Sequence, residues 1–296
     1  MSVFCLLPQI LWYTRTISGA ASPYKPNREW PPCFSSVILA CIIMLSIYNL
    51  FLLSQASYNP VAVYPLNSVS KGRDVSGRKN PPAIFGSVRP APGPDRKQGS
   101  SYQFFGRPNS FIQLPNKGLL DTVNSITISL WVYPQGPGPL VNYNPRGQGM
   151  QIWMVSRTQL YARFVRRRGR LLTKPIIYRI YRRSWSYVTV TYNQKTGEAR
   201  LYVNTRLVER RTVGKFRLAT NYPVRLGAKI GGTRFFKGRL ACLQFYNTAL
   251  SGRQIAVRKR MCFKTRGKTL YLRWNWCLNF SFCVIAATRE ARSPNH

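Results

Sequence analysis

The chain has 296 residues, 45% of them hydrophobic and 13% aromatic, so a sizeable core can form and wholesale disorder is excluded. It carries 45 Lys+Arg against 7 Asp+Glu, a net charge of +38, and arginine outnumbers lysine by more than two to one. Such an imbalance must be neutralised by counter-ions or by a polyanionic partner, and the guanidinium bias favours bidentate recognition of sulfate, carboxylate or phosphate.

From Phe34 to Leu53 the sequence FSSVILACIIMLSIYNLFLL carries no charge. As a helix it spans about 30 Å, enough to cross a bilayer. Lys25 and Arg28 precede it closely and the next cation is Lys71, so the positive-inside rule places residues 1–33 in the cytoplasm and everything after Leu53 outside the cell or in a lumen. The run reads as an uncleaved signal anchor. Ser54-Gln55-Ala56 also resembles a small-x-small cleavage site, which would make the chain a secreted protein; a buried helix of a soluble fold is the bland alternative.

Residues 54–60 read as a linker. The Pro, Gly, Ser and basic composition continues to Ser101, but VAVYPLN, Val61 to Asn67, has the look of a first strand, and the long loops after it can belong to the domain. From there short strand candidates recur between turn residues: YQFFG, SFIQLP, SITISLWVYP, LVNYN, MQIWMV, LYARFV, LLTKPIIYRIY, WSYVTVTY, ARLYVN and RLACLQFYN. This spacing indicates an all-β sandwich or barrel, and the lack of helices alternating with strands argues against an α/β fold.

Within SYVTVTYNQKTGEARLYVNTRLV, Val188, Val190 and Tyr192 alternate inward with Tyr187, Thr189 and Thr191 outward. After a turn holding Gly197, Ala199, Leu201 and Val203 return to the core, while Glu198, Arg200 and Tyr202 point to solvent or a sheet edge. Basic residues gather at turns and strand ends. FVRRRGRLL reads as a hairpin whose tip near Gly169 presents Arg163, Arg166, Arg167, Arg168 and Arg170; Arg182 and Arg183 follow, with Arg179 and Arg183 on one strand face. Downstream, Ser251 and Gln254 form an S-x-x-Q capping box for a short helix reaching about Arg260, with Leu250 as a staple.

The order and spacing of YPLNSVSKGRDVSG, SYQFFGRPNSFIQLPN, SITISLWVYP, WSYVTVTYNQKTGEARLYVNTRLV and FFKGRLACLQFYNTALSGRQI resemble the laminin-G-like jelly rolls of the concanavalin A-like lectin/glucanase superfamily, across residues 61–263. The resemblance implies a two-sheet antiparallel jelly-roll sandwich and non-catalytic extracellular binding of glycans or proteins. It also implies a disulfide between Cys242, on the strand before the helix, and Cys262, just after it, which would close a loop worth about 3 kcal/mol in an oxidising compartment. The sequence departs where the family often has Asn-Gly: Asn204-Thr205 puts a β-branched residue where positive φ is disfavoured, so a wider turn, or one of another type, is expected. Residues 264–296 form a basic and apolar tail containing Cys277, Cys283 and the sequon Asn279-Phe280-Ser281; Cys5, Cys33 and Cys41 lie before or inside the apolar run.

Catalysis finds little support. Superfamily glucanases need paired carboxylates on one strand, whereas the acids of residues 61–263 are the scattered Asp74, Asp95, Asp121, Glu198 and Glu209. The one histidine, His296, is the terminal residue. No cofactor is expected; calcium would require Asp74, Asp95 and Asp121 to converge against a positive field. The first choice of ligand is a polyanionic, sulfated glycan or a matrix or cell-surface protein, with Arg163, Arg166, Arg167, Arg168, Arg170, Arg182 and Arg183 as the anion-binding group. The competing reading is a cationic host-defence or nucleic-acid-binding protein acting by diffuse charge; a glycoside hydrolase comes third.

Overall fold

The computed structural model describes residues 39–49, 59–143, 149–168 and 173–263. The chain divides after Ala56 into two units. In the first, residues 39–49 form helix α1, whose apolar side chains, Ile42, Leu45 and Tyr48 among them, are exposed. The rest of the expected span, residues 34–38 and 50–53, lies outside the described residues. Among the residues described, no helix is long and apolar enough to cross a membrane.

The second unit is an antiparallel sandwich of β1 (Ala62–Tyr64), β2 (Ile84–Phe85), β3 (Arg89–Ala91), β4 (Ser101–Phe105), β5 (Ile112–Leu114), β6 (Ser125–Pro134), β7 (Gly138–Tyr143), β8 (Gln151–Met154), β9 (Gln159–Arg163), β10 (Ile176–Arg179), β11 (Ser186–Asn193), β12 (Glu198–Val203), β13 (Arg206–Thr212), β14 (Val224–Leu226) and β15 (Lys237–Tyr246). One sheet runs β13-β12-β11-β6-β15-β4-β3, with β1 added alongside β15; the other runs β10-β9-β8-β7-β14-β5-β2. Each strand candidate in the sequence contains a strand, although of LLTKPIIYRIY only Ile176–Arg179 forms one among the described residues. β2, β3 and β14, of two or three residues each, are too short for alternation to announce them.

Alternation decides which side of each strand is buried. On β6, Ile126, Ile128, Leu130 and Val132 face into the sandwich. Val188, Val190 and Tyr192 of β11 and Ala199 and Leu201 of β12 join them, with Ile152, Leu160, Val224 and Leu226 of the other sheet, in one continuous core.

The outward side of the first sheet departs from expectation, because Tyr187, Thr189, Thr191, Glu198 and Tyr202 are all buried. Helix α2 (Gly252–Arg258) supplies much of the cover: Leu250 and Ile255 pack with Tyr187, Tyr202, Tyr246 and Trp131 in a second apolar cluster. The helix starts where the capping box places it, the Gln254 side chain accepting from the Ser251 N–H at 2.7 Å and the Ser251 hydroxyl accepting from the Gln254 N–H at 3.5 Å. It ends at Arg258, and a 3-10 turn, Met261–Phe263, follows. So short a helix has little stability of its own, and two anchors hold it down. One is the disulfide between Cys242, in the irregularity where β15 shifts register against β6, and Cys262. The other is Trp131, whose indole N–H donates to the Lys259 carbonyl at 3.1 Å while the Lys259 ammonium lies 5.2 Å from the ring centroid.

The β12–β13 turn corrects a second expectation. Val203 pairs directly with Arg206, so the connection is a two-residue turn rather than a wider one. Asn204 and Thr205 have φ of 51° and 76°, both in the left-handed region that such a tight hairpin requires. Asn204 is held by exchange with β11: its side-chain oxygen accepts from the Tyr187 N–H at 3.0 Å, and its own N–H donates to the Tyr187 carbonyl at 2.8 Å. Among the described residues no such exchange serves the β-branched Thr205, which carries the strain at φ 76°.

Between β1 and β2 the loop is organised by the Asp74 carboxylate, which accepts from the Val63 N–H at 2.8 Å, the Ser76 N–H at 2.9 Å, the Ser76 hydroxyl at 2.7 Å and the Asn80 amide at 2.8 Å. Burial pushes the carboxyl up, but these bonds outweigh it and hold Asp74 below the usual aspartate range.

Candidate functional site

β6 runs the length of the sandwich, with Ser125 beside Asn193 at one end and Pro134 beside Gly238 at the other. At the Ser125 end, the segment after β13 is pinned from below by Tyr192. The Tyr192 hydroxyl accepts from the Phe216 N–H at 2.9 Å and lies 3.0 Å from the Gly214 carbonyl and 2.9 Å from that of Phe216, to one of which it donates. Its ring stacks on Phe216 at 5.1 Å, and burial raises the phenol above its ordinary range. The Gly197 turn docks on the same segment: Val213 donates to the Gly197 carbonyl at 2.8 Å, and Gly197 has φ 70° with the Gly214 backbone 2.9 Å from where a Cβ would stand.

The residues after β9 lie alongside this segment in extended form. Ala219 donates to the Val165 carbonyl at 2.9 Å, Arg166 bridges to Leu218, and the Arg167 N–H donates to the Arg217 carbonyl at 2.7 Å. Extended backbone sends successive side chains to opposite sides. Arg166 and Arg168 are exposed, whereas Arg167 turns inward. It forms an ion pair with Asp121, which also accepts from the Thr220 hydroxyl at 2.8 Å, and its Nε donates to the Leu218 carbonyl at 3.2 Å. Arg167 is therefore a strut that fixes the backbone on which its two neighbours are displayed.

Between them the segments enclose a cleft of about 400 Å³, lined by Arg166, Arg167, Arg168, Gln194, Lys215 and Arg217 over the buried Phe216. Arg166, Arg168, Lys215 and Arg217 are exposed, and none belongs to an ion pair among the described residues. Four unneutralised cations converging on one concavity, with an amide beside them, can bind an anion by charge-assisted hydrogen bonds.

The seven arginines expected to act together are divided by the fold. β9 and β10 are antiparallel, so Arg166–Arg168 leave one end of the pair while Arg182 and Arg183 leave the other. Arg183 is not on a strand face with Arg179: it sits in a turn with φ 53°, its N–H donating to the Pro134 carbonyl at 2.9 Å, at the far end of the sandwich. Arg163 lies on β9 with its guanidinium 5.1 Å from the Tyr161 ring centroid, outside the cleft. Of the aromatics among these cations, Tyr181 is 83% exposed, whereas Trp185 packs 5.5 Å from Tyr133. Arg170, Gly169 and the sequon at Asn279 lie outside the described residues. Lys215, Arg217 and Gln194 escaped the sequence reading, although GKFRL, with cations on either side of a phenylalanine, has the alternation of a charged rim over a buried ring.

The carboxylates proposed for calcium do not meet. Asp74 is spent in its own loop, Asp121 on Arg167, and Asp95 accepts from the Lys97 N–H at 3.2 Å and from the Ser100 hydroxyl. Among the described residues no three acidic, cysteine or histidine side chains cluster as a metal site. Glu198 is held between Arg200 and Arg210, and Glu209 lies 3.7 Å from Arg211, so each of the five acids has separate company.

No curated protein matches the chain. Among solved structures, the botulinum neurotoxin serotype G binding domain is similar over 69% of this chain and 51% of its own, at 14% identity and a TM-score of 0.55. The binding domain of Paraclostridial Mosquitocidal Protein 1 is similar over 70% and 53%, at 20% identity and a TM-score of 0.55. The botulinum neurotoxin serotype D ligand-binding domain in complex with N-acetylneuraminic acid is similar over 67% and 50%, at 14% identity and a TM-score of 0.53. The chain thus spans about half the length of each, and the likeness is one of fold. Residues 105–256, just over half of the chain, match a laminin-G-like family model described as the concanavalin A-like lectin/glucanases superfamily. The sandwich, its matching span and its helix-closed outer face agree: the chain belongs to the concanavalin A-like lectin/glucanase superfamily, as a laminin-G-like jelly roll.

Proposed function

We propose that the sandwich is a non-catalytic binding module that takes an acidic carbohydrate, a sulfated glycan first among them, at the cleft of Arg166, Arg168, Lys215 and Arg217. The observation that carries this reading is the contrast within one tripeptide: Arg167 is neutralised by Asp121, while its neighbours converge on the cleft without a carboxylate. Support for binding over catalysis comes from the dispersal of the five acids and from the toxin binding domains that share the fold, one of which holds N-acetylneuraminic acid and another synaptotagmin II. A matrix or cell-surface protein with sulfated or acidic groups would present the same chemistry. The uncharged run from Phe34 to Leu53 supports a membrane-tethered domain facing the lumen or exterior, and cleavage after it would give a secreted one.

The test is salt-gradient elution of the full chain from heparin and from a sulfonate exchanger of matched charge density. We expect elution from heparin at clearly higher salt, and Arg166→Ser with Arg168→Ser to remove most of that difference. As a charge-matched control, Arg78→Ser with Arg253→Ser should lower both elution points equally and slightly. Coincident elution of the wild type from the two columns would instead assign the charge to a diffuse field, as in a host-defence or nucleic-acid-binding protein.

A further inference from the structure

A second cleft, of about 540 Å³, opens near the Pro134 end of the sandwich. It lies between Ser87, Val88 and Arg89, which lead into β3, and Phe105, Arg107 and Asn109, at and just after the end of β4. The backbone holds these walls in place: Ser87 donates to the Asn109 carbonyl at 2.7 Å, Gly106 donates to the Phe236 carbonyl at 3.0 Å, and the Phe105 N–H is accepted by the Ser110 hydroxyl at 2.9 Å.

Arg89 and Arg107 are both exposed, belong to no ion pair among the described residues, and meet no carboxylate in the cleft lining. The Arg89 guanidinium lies 6.0 Å from the centroid of the Phe105 ring, which is half-buried and so presents part of its surface. This differs in kind from the cleft at the Ser125 end, where Phe216 is buried and cations with one amide face the ligand. Here an aromatic surface, two guanidiniums, an amide and a hydroxyl meet in one concavity. A sugar ring that carries its own carboxylate satisfies all of them: its apolar face on Phe105, its carboxylate on Arg89 or Arg107, and its hydroxyls on Asn109 and Ser87.

We propose that this cleft is a second and separate binding site, selective for a uronate residue of an acidic polysaccharide. Because the ten residues of β6 separate the two ends, the sites lie roughly 30 Å apart along the strands, and one domain bridges two polyanionic chains or two stretches of one. The proposal does not depend on what the Arg166 cleft binds.

The test is calorimetric titration of the full chain with hyaluronan hexasaccharide, which is carboxylated and unsulfated. One hexasaccharide should bind per protein. Arg89→Ala with Arg107→Ala should weaken it at least tenfold, and Phe105→Leu, which leaves the charge unchanged, at least threefold. Asn109→Ala asks the same neutral question without touching the ring, should Phe105→Leu lower the melting temperature. Arg166→Ser with Arg168→Ser should leave the hexasaccharide affinity within about twofold while changing heparin elution. The proposal is overturned if the wild type does not bind the hexasaccharide at millimolar concentration. It is equally overturned if the two arginine pairs weaken binding by the same factor, or if neither neutral substitution has an effect. Loss of the heparin difference alone would sink the reading of the Arg166 cleft and leave this one standing.

Discussion

The outer face of the first sheet and the Arg166 cleft are both built from residues that strand alternation sends outward, yet one has become a second core and the other stays open. On the outer face of the first sheet, Glu198 is 7% exposed and lies between Arg200 and Arg210; hydrogen bonding to Arg200 and the nearby positive charges outweigh burial and hold its carboxyl below the usual glutamate range. At the cleft, Arg166, Arg168, Lys215 and Arg217 have no such partner among the described residues. In a chain with 45 cations and 7 acids, the acids show which cations serve the fold. Arg167 belongs to the fold despite standing between two that do not.

Four substitutions separate the regions, beginning with the largest expected effect. Cys262→Ser opens the link that ties the residues after α2 to β15. The chain-entropy argument puts the loss at about 3 kcal/mol, read as a lower urea midpoint in oxidising buffer, with heparin elution unchanged. A loss below about 1 kcal/mol would mean that the apolar cluster around Trp131, not the disulfide, holds the helix.

The cleft divides within itself. Arg167→Ala should cost about 1–2 kcal/mol of stability, between the value of an exposed pair and that of a fully buried one, since both side chains of the ion pair are 22% exposed. Arg168→Ala should stay within about 0.5 kcal/mol of wild type and yet shift heparin elution. Equal effects on both measurements would erase the distinction between strut and displayed cation. The last change should be a gain: Thr205→Gly relieves a β-branched residue at φ 76° and should raise stability by about 0.5–1 kcal/mol after the greater chain entropy of glycine is deducted. Thermal unfolding reads it directly, and no gain would show that the turn relaxes without cost around Thr205.

Much of the fold was legible because it rests on local chemistry. The alternation of SITISLWVYP and SYVTVTY identifies both strand and inward face, and Ser251 and Gln254 mark the start of α2. The turn at Asn204-Thr205 was misjudged because propensity describes what the backbone prefers, while the pairing of β12 with β13 decided what it adopts. The candidate site was legible only in part. RRR announced a cationic segment, but Lys215 and Arg217 lie some 50 residues along the chain and reach it through β-bridging at Leu218.

By itself, then, the sequence determined the charge, the all-β class, the inward faces of the strands and the cap of the last described α-helix, because composition, period-two alternation and capping act over a few residues. Tertiary structure alone decided which outward faces would be covered, that Asp121 would claim Arg167, and that Arg166 and Arg183 would part to opposite ends. Those outcomes depend on strand order and register, which bring together side chains far apart in the chain and separate near ones, and no local pattern encodes that distance.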